Sequence, residues 1–387
     1  MAVGQQAAMR MRDLHVWPRY EAAALGLRNY WNPVTWSRSV GSRPRAMRLL
    51  GEPIMLLRER GRVYAFYNQC PHRGIPLSVG RQDFPGTWSC RYHGWTFDLE
   101  TGVLKAALTD GPDSPICGKV RAKTYPVEER AGLVWVWMGE GAPSVPVEAD
   151  IPPAFLGEDA VVVGRIAVRR GNWRFAAENG YDEAHAKYLH RYGSLWTLFR
   201  HIPAWSKREG GSRIDAEGVW LSRPPNNIGM QADYPDLGVW PPSHWWKSRK
   251  RGSKNTISIR LPGCLVSQYD THAHYEWYVP LDRDHHRYAQ FLVTRAKGWA
   301  AWEYRLRYWL YRRWLFHVQF NGQDGWMVEL MPETGPERMF RPDASITAWR
   351  RLCEHARGET SAEAPLAQQL VEVATSFDLA SQSAEPR

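Results

Sequence analysis

The sequence predicts an α+β fold, with a small antiparallel β domain followed by a larger domain of strands and helices. Three observations carry this reading. Short runs rich in β-branched and aromatic residues, separated by turn formers, fill the stretch from Met47 to Met138. Strand-like alternation returns between Thr256 and Val293. Residues 299–320 then carry the longest apolar pattern of helical period. At 387 residues the chain is long enough for a large core and two domains.

Residues 1–36 are expected to form an N-terminal helical segment packing on the second domain, ending where a proline turn at Asn32-Pro33 leads into extended chain. Ile54–Leu57 and Val63–Tyr67 read as a hairpin turned at Arg60-Gly61, and Leu133–Met138 reads as a further strand. Prolines at 143, 146, 152 and 153 mark an irregular boundary. The first domain is therefore placed at 37–150 and the second at 151–357. Val161–Val168 is expected to be a strand leading into Asn172-Trp173-Arg174-Phe175, and Tyr275–Val279 another strand. In the helix expected over 299–320, Trp299, Trp302, Leu306, Trp309 and Trp314 are assigned to a core face against a sheet. The same basic, aromatic pattern also suits a helix lying on a membrane. A last helix is expected over 344–355, followed by a polar, partly disordered tail, 358–387.

Composition narrows the function classes. With 44% hydrophobic and 23% charged residues the chain is of ordinary globular type, and its 21 tryptophans are the anomaly. Aromatic side chains of that size suit apolar pockets and interfaces. A net charge of +10 suits an anionic partner such as an acidic protein, a membrane surface or nucleic acid, yet no nucleic-acid-binding motif accompanies it. The basic cluster Lys247, Arg249, Lys250, Arg251 and Lys254 reads as a solvated loop. No run of about twenty apolar residues predicts a membrane span. Residues 1–12 lack the apolar core of a secretion signal. Five scattered cysteines form no disulfide framework, so a reducing cytoplasm is expected, where thiols can hold metal.

Two constellations carry chemistry. The first is Asp182-x₂-His185-x₄-His190, within the segment Asn179-Gly180-Tyr181-Asp182 and onward. Two histidines and a later carboxylate bind Fe(II) on one face and leave the opposite positions open for O₂ and substrate. His190 lies five positions after His185, about 500° around an ideal helix, so a wide turn, kink or break is expected between them. Asp324, in Asn321-Gly322-Gln323-Asp324-Gly325-Trp326, is the chosen carboxylate, with Glu329, Glu333 and Asp343 as fallbacks. His272, His274, His285 and His286 lie in or beside strands without a matching carboxylate pattern and read as structural or exposed. The second constellation is Cys70-Pro71-His72 with Cys90-Arg91-Tyr92-His93, each beside turn formers. Two thiolates on one iron and two neutral imidazoles on the other hold a Rieske [2Fe–2S] cluster, whose uncharged imidazoles raise its potential. A structural Cys₂His₂ zinc site is the alternative that the same ligands could build.

Read in this order, the motifs resemble those of the Rieske non-haem iron aromatic-ring-hydroxylating oxygenases. Outside the motifs the wording is most similar to the carbazole 1,9a-dioxygenase terminal oxygenase group, through Leu27-Arg28-Asn29-Tyr30-Trp31-Asn32-Pro33-Val34, Glu178-Asn179-Gly180 and Glu276-Trp277-Tyr278-Val279-Pro280. The resemblance implies an α+β chain, with a small antiparallel β Rieske domain and a catalytic domain whose antiparallel sheet is covered by helices. It implies that Cys70 and Cys90 bind one cluster iron, His72 and His93 the other, and that His185, His190 and Asp324 hold the mononuclear Fe(II). Asp182 would bridge His93 of one subunit to His185 of the next, in a homotrimer. Asn179 is placed with Asp182 among the catalytic residues, and the Gly180 carbonyl matches a substrate contact. The spacing His185-x₄-His190 departs from the carbazole group, where three residues separate the two histidines.

The leading expectation is therefore a terminal oxygenase (alpha subunit) of a multicomponent system that dihydroxylates a hydrophobic polycyclic aromatic substrate, angular attack on carbazole-like compounds included. Electrons from NAD(P)H would arrive through a separate reductase and a ferredoxin, because the chain has no dinucleotide or flavin fingerprint. Ferredoxins are usually acidic, which gives the positive charge a use. A Rieske monooxygenase or demethylase, a non-catalytic Rieske electron-transfer protein and a zinc-stabilised binding module are the alternatives.

Overall fold

The computed structural model describes residues 17–358, except 112, 183–184, 186–188, 191–211, 224–225, 228–253, 270, 333–336 and 341–342. Three small antiparallel sheets build the first domain. Arg45–Leu49, Glu52–Glu59, Arg62–Tyr67 and Thr124–Tyr125 form one of them. Its central hairpin turns at Arg60 and Gly61, both of positive φ, the geometry that lets a tight turn follow the twist of its strands. Thr87–Ser89, Trp95–Asp98 and Leu104–Ala107 form the second. In the third, Leu133–Met138 lies between Tyr30–Trp36 and Val127–Arg130. Within 1–36 the described residues hold the short helix Pro18–Ala22, and the extended chain expected at the proline turn is the strand Tyr30–Trp36, whose residues from Tyr30 to Thr35 are all buried.

The second domain is an antiparallel sheet of eight strands among the described residues. Ala160–Arg170, His285–Arg295, Ala273–Pro280, Cys264–Gln268, Lys254–Arg260, Trp220–Ser222 and Arg213–Ile214 follow one another across it. Its three central strands are almost wholly buried because helices cover one face and the first domain abuts the other. Many of the tryptophans find their use here. Trp135 of the first domain meets Trp277 of the second edge to face at 5.9 Å, and Phe155 joins Trp277 and Phe291, so one core is shared across the junction. Buried Asp150 ties the junction by accepting the Trp31 backbone N–H at 3.0 Å and pairing with Arg357 at 3.0 Å.

Helix Trp173–Tyr181 is the element that positions the site. Asn172 caps it by accepting the Arg174 backbone N–H at 3.1 Å, and Trp173 and Tyr181 are fully buried against the sheet. Its Glu178 is buried beside Arg350 of the last helix, Ala344–Cys353, at 2.6 Å, and accepts the Tyr20 hydroxyl. Burial pushes the Glu178 carboxyl up, opposed by the Arg350 guanidinium. Arg350 in turn grips Glu337 through two bonds of 2.7 and 2.8 Å.

Residues 298–330 form a continuous helical rod: Gly298–Arg307, a π-helical stretch Tyr308–Phe320, then Asn321–Leu330. The expected core face does not face the core. Trp299, Trp302, Leu306, Trp309 and Trp314 are exposed, and of residues 298–320 only Ala301, Tyr308 and His317 are buried. Trp309 and Trp314 lie where the backbone widens to i→i+5 bonding and a stripe placed by a period of 3.6 loses register, whereas Trp299, Trp302 and Leu306 lie in the α-helical turns before it, of which only Ala301 is buried.

Replacing Arg350 by Ala leaves Glu178 buried without a cation. Loss of about 3–5 kcal/mol is expected, read as a lowered midpoint in thermal or urea unfolding, with the Glu337→Gln variant much closer to wild type because Glu337 is half exposed.

Candidate metal centres

The two cysteine loops are built alike. Cys70 N–H donates to the Ile75 carbonyl and Gly74 N–H to the Cys70 carbonyl, both at 2.8 Å; Cys90 N–H donates to the Trp95 carbonyl at 2.8 Å and Gly94 N–H to the Cys90 carbonyl at 3.0 Å. Gly74 and Gly94 both have positive φ, which closes each turn tightly. Cys90 sits in the hairpin between Thr87–Ser89 and Trp95–Asp98, while Cys70 follows the strand Arg62–Tyr67. The His72 and His93 rings lie 4.6 Å apart, and His72 stacks on Trp95.

These residues fit a binuclear cluster. Both thiols are buried, and burial pushes Cys70 up to about 12, with neighbouring Cys90 adding to it against the backbone N–H groups of His72 and Arg73. Such a thiol ionises only when a cation takes the charge. Burial and the neighbouring His93 lower the His72 pKa, which favours the neutral imidazole that a metal needs. Among the described residues, the one set of three or more ligand atoms within 4.8 Å of one another is His185, His190 and Asp324.

The second centre joins two helices. Helix Trp173–Tyr181 stops at Asp182, whose extended ψ of 132° turns the chain. The break thus falls just before His185; residues 186–188, between the two histidines, lie outside the described residues. Asp182 accepts the His185 backbone N–H at 2.9 Å and lies 3.3 Å from His185 Nδ1. That ring contact lacks hydrogen-bond alignment, so it acts through charge and orients the imidazole. The His185 and His190 Nε2 atoms face Asp324 Oδ1 at 3.2 and 3.1 Å. Burial disfavours a charge on His185, but Asp182 and Asp324 outweigh it and lift its pKa to about 9. Burial also opposes the Asp324 charge, yet the two imidazoles hold its carboxyl well below the usual range. A buried, ionised carboxylate between two imidazole nitrogens suits a divalent cation.

Supporting residues complete the pocket. Asn179 donates to Asp324 Oδ1 at 3.1 Å, and His190 Nδ1 pairs with Gln323 Oε1 at 2.9 Å. Phe320 stacks on the His190 ring at 3.7 Å. Buried Glu276 accepts Asn321 Nδ2 at 2.9 Å and the hydroxyls of Tyr278 and Tyr288 at 2.6 and 2.5 Å. This anchors the helix of Asp324 one turn before it. Gly180 presses against the Tyr278 hydroxyl, where any Cβ would collide. Gln323, Asn321 and Glu276 escaped the sequence reading; the one signal for Glu276 was a carboxylate inside an apolar strand.

The other candidates fall elsewhere. Glu329 is exposed and faces Arg170 at 3.3 Å, Asp343 accepts the Phe340 backbone N–H, and Glu333 lies outside the described residues. His285 pairs with Asp282, His286 with the Gly171 carbonyl and buried His274 with Glu276, and none of these joins the triad. Trp196, Trp205, Trp240 and Trp245 and, from the basic cluster, Lys247, Arg249, Lys250 and Arg251 lie outside the described residues. No helix among the described residues is long and apolar enough to cross a membrane.

The fold and the two ligand sets define a class: a two-centre metalloprotein with a β domain for an iron–sulfur cluster and a helix-covered sheet for a single metal ion. Residues 30–125 match the Rieske [2Fe-2S] domain, and residues 137–200 and 230–359 match the homotrimeric ring hydroxylase family. The chain is 33% identical over 371 residues to the terminal oxygenase component of carbazole 1,9a-dioxygenase from Metapseudomonas resinovorans, covering 88% of this chain and 94% of that one. The Sphingomonas sp. counterpart is 33% identical over 383 residues, covering 92% and 99%. Among solved structures, a fluorene-bound oxygenase–ferredoxin complex of carbazole 1,9a-dioxygenase superposes with a TM-score of 0.79 at 29% identity, covering 90% of this chain and 96% of that one. The terminal oxygenase from Novosphingobium sp. KA1 gives 0.72 at 30% identity, covering 91% and 99%. The chain belongs to the Rieske-type ring-hydroxylating oxygenases, oxidoreductases whose cofactors are a Rieske [2Fe–2S] cluster and a mononuclear iron.

Two outcomes check the assignments. Asp324→Ala is expected to lower iron from about three to about two per chain while the visible cluster spectrum and two labile sulfides persist. Iron uptake by metal-depleted protein is expected to release protons and to strengthen as pH rises toward the His185 value of about 9, since a protonated imidazole cannot bind metal.

Proposed function

We propose that this chain is the terminal oxygenase component of a multicomponent system, in which His185, His190 and Asp324 hold the mononuclear Fe(II) and Cys70, His72, Cys90 and His93 hold the cluster. The observation that carries this is the convergence of three ligand atoms, from His185, His190 and Asp324, within 4.8 Å of one another, which a non-catalytic electron-transfer protein would not need. When bound, the cluster supplies a one-electron relay and the iron activates O₂ beside the substrate.

The chain's own residues prepare that chemistry. Asp182 and Asp324 flank opposite nitrogens of His185, so the imidazole is held with Nε2 toward the metal position. Gln323 does the same for His190 through Nδ1, and Asn179 steadies Asp324. The Gly180 carbonyl is proposed as a substrate contact. In a homotrimer, Asp182 would also accept a hydrogen bond from His93 of a neighbouring subunit, joining the two centres across the interface. The solved complexes of carbazole 1,9a-dioxygenase hold a ferredoxin, and a ferredoxin fed by an NAD(P)H-dependent reductase is proposed as the donor here.

A hydrophobic polycyclic aromatic compound, carbazole-like in shape, is the proposed substrate class, with dihydroxylation as the outcome. The likeness to the carbazole enzymes over nearly the whole chain supports it. Five free thiols favour a reducing compartment such as the cytoplasm. The proposed domain division is 37–150 and 151–357, with the strand Tyr30–Trp36 completing the first domain's third sheet and a tail at 358–387.

Asp182→Ala tests the bridge. In a system reconstituted with reductase and ferredoxin, product formation is expected to fall by on the order of 10–100-fold or more, while the cluster is still reduced at the wild-type rate. Near wild-type turnover by the variant would remove Asp182 from the electron path.

A further inference from the structure

The rod from Gly298 to Phe320 turns its largest apolar side chains outward. Trp299 is 73% exposed, Trp309 59%, Leu310 71% and Trp314 56%, and Trp302 stacks on Trp299 at 4.6 Å. Single exposed tryptophans need no explanation, but a file of them along one element marks a surface that meets something apolar. The rod is also basic. It carries Arg305, Arg307, Arg312 and Arg313 against one acid, Glu303, which Arg307 already binds at 2.6 Å. The Arg313 guanidinium lies over the Trp309 ring at 5.2 Å, so cation and aromatic share one face. The whole chain carries +10.

We propose that this face docks on an anionic lipid bilayer, with the rod lying flat and its tryptophans at headgroup depth. Indole rings favour that depth because one edge is apolar and the other can donate a hydrogen bond. Arginines bury their stems among the acyl chains and leave their charge at the phosphates. A bilayer offers dense negative charge and an apolar interior side by side, which matches a face of tryptophan and arginine. The far end of the rod gives the contact a use. Phe320 stacks on His190, and the helix of Asp324 starts at Asn321, so an apolar compound dissolved in the bilayer would reach the protein beside its metal triad. The contact is peripheral, and it stands whether or not the proposed substrate class is right.

The test uses the full-length protein and large unilamellar vesicles of phosphatidylcholine with or without phosphatidylglycerol. Cosedimentation is expected with the anionic vesicles, weakened by salt, with tryptophan emission quenched by brominated lipid. The triple variant Trp302→Ser, Trp309→Ser, Leu310→Ser is expected to lose the association. The pair Arg305→Gln, Arg313→Gln is expected to weaken it by on the order of tenfold. Both should retain the cluster's visible spectrum and the wild-type size in light scattering. If the triple variant fails to fold, the arginine pair and the quenching of wild type decide. No binding of the intact protein to anionic vesicles, or full binding by either folded variant, would overturn the proposal. A triple variant with an altered oligomeric state would assign the face to a second copy of the chain instead.

Discussion

A single ionised carboxylate, Asp324, held between two imidazole nitrogens in a buried site, sets the terms for the second domain. Burying a carboxylate is costly unless charge and hydrogen bonds meet it. His185, His190 and Asn179 do so at 3.1–3.2 Å, and they come from the other side of the site in sequence. Two distant helical segments must therefore be clamped on the sheet, one by Trp173, Tyr181 and the Glu178–Arg350 pair, the other by Glu276 through Asn321. The central strands supply the floor that lets both be rigid.

The same logic explains where the aromatic content went. The five largest side chains buried to completion are Trp135, Trp137, Trp173, Trp277 and Trp349, shared between the domain junction and the helices around the site. A large shared core holds the two domains of one subunit in one orientation. Trp299, Trp302, Trp309 and Trp314 lie exposed along one rod instead.

The candidate ligand pairs stood out in the linear order because metal chemistry dictates residue type and close spacing: Cys70-x-His72 and Cys90-x₂-His93 each lie on a single loop. The hairpin at Arg60-Gly61, the strand Leu133–Met138 and the last helix were legible for the same reason, being local patterns. Asp324 was a choice among four carboxylates until folding put it 3.1 Å from His190, while Glu329 and Asp343 went to the surface. Gln323 and Glu276 carry no local signature, since their partners are 133 and 45 residues away in sequence.

The sequence by itself thus determined the fold class and the residue types that chemistry could use: the candidate ligand types, the turn formers beside them and the alternation of strands; the helix break expected between His185 and His190 falls instead at Asp182. Tertiary structure alone decided which way amphipathic surfaces face. The strand Tyr30–Trp36 was drawn from the N-terminal segment into the first domain by pairing with Leu133–Met138. The rod 298–320 turned its tryptophans to the outside: of its residues only Ala301, Tyr308 and His317 are buried, and from Tyr308 onward the π-helical stretch also breaks the 3.6-residue period. A hydrophobic pattern states that a side chain can be buried; which partner buries it depends on contacts between residues far apart in the chain, and those exist only once the chain has folded.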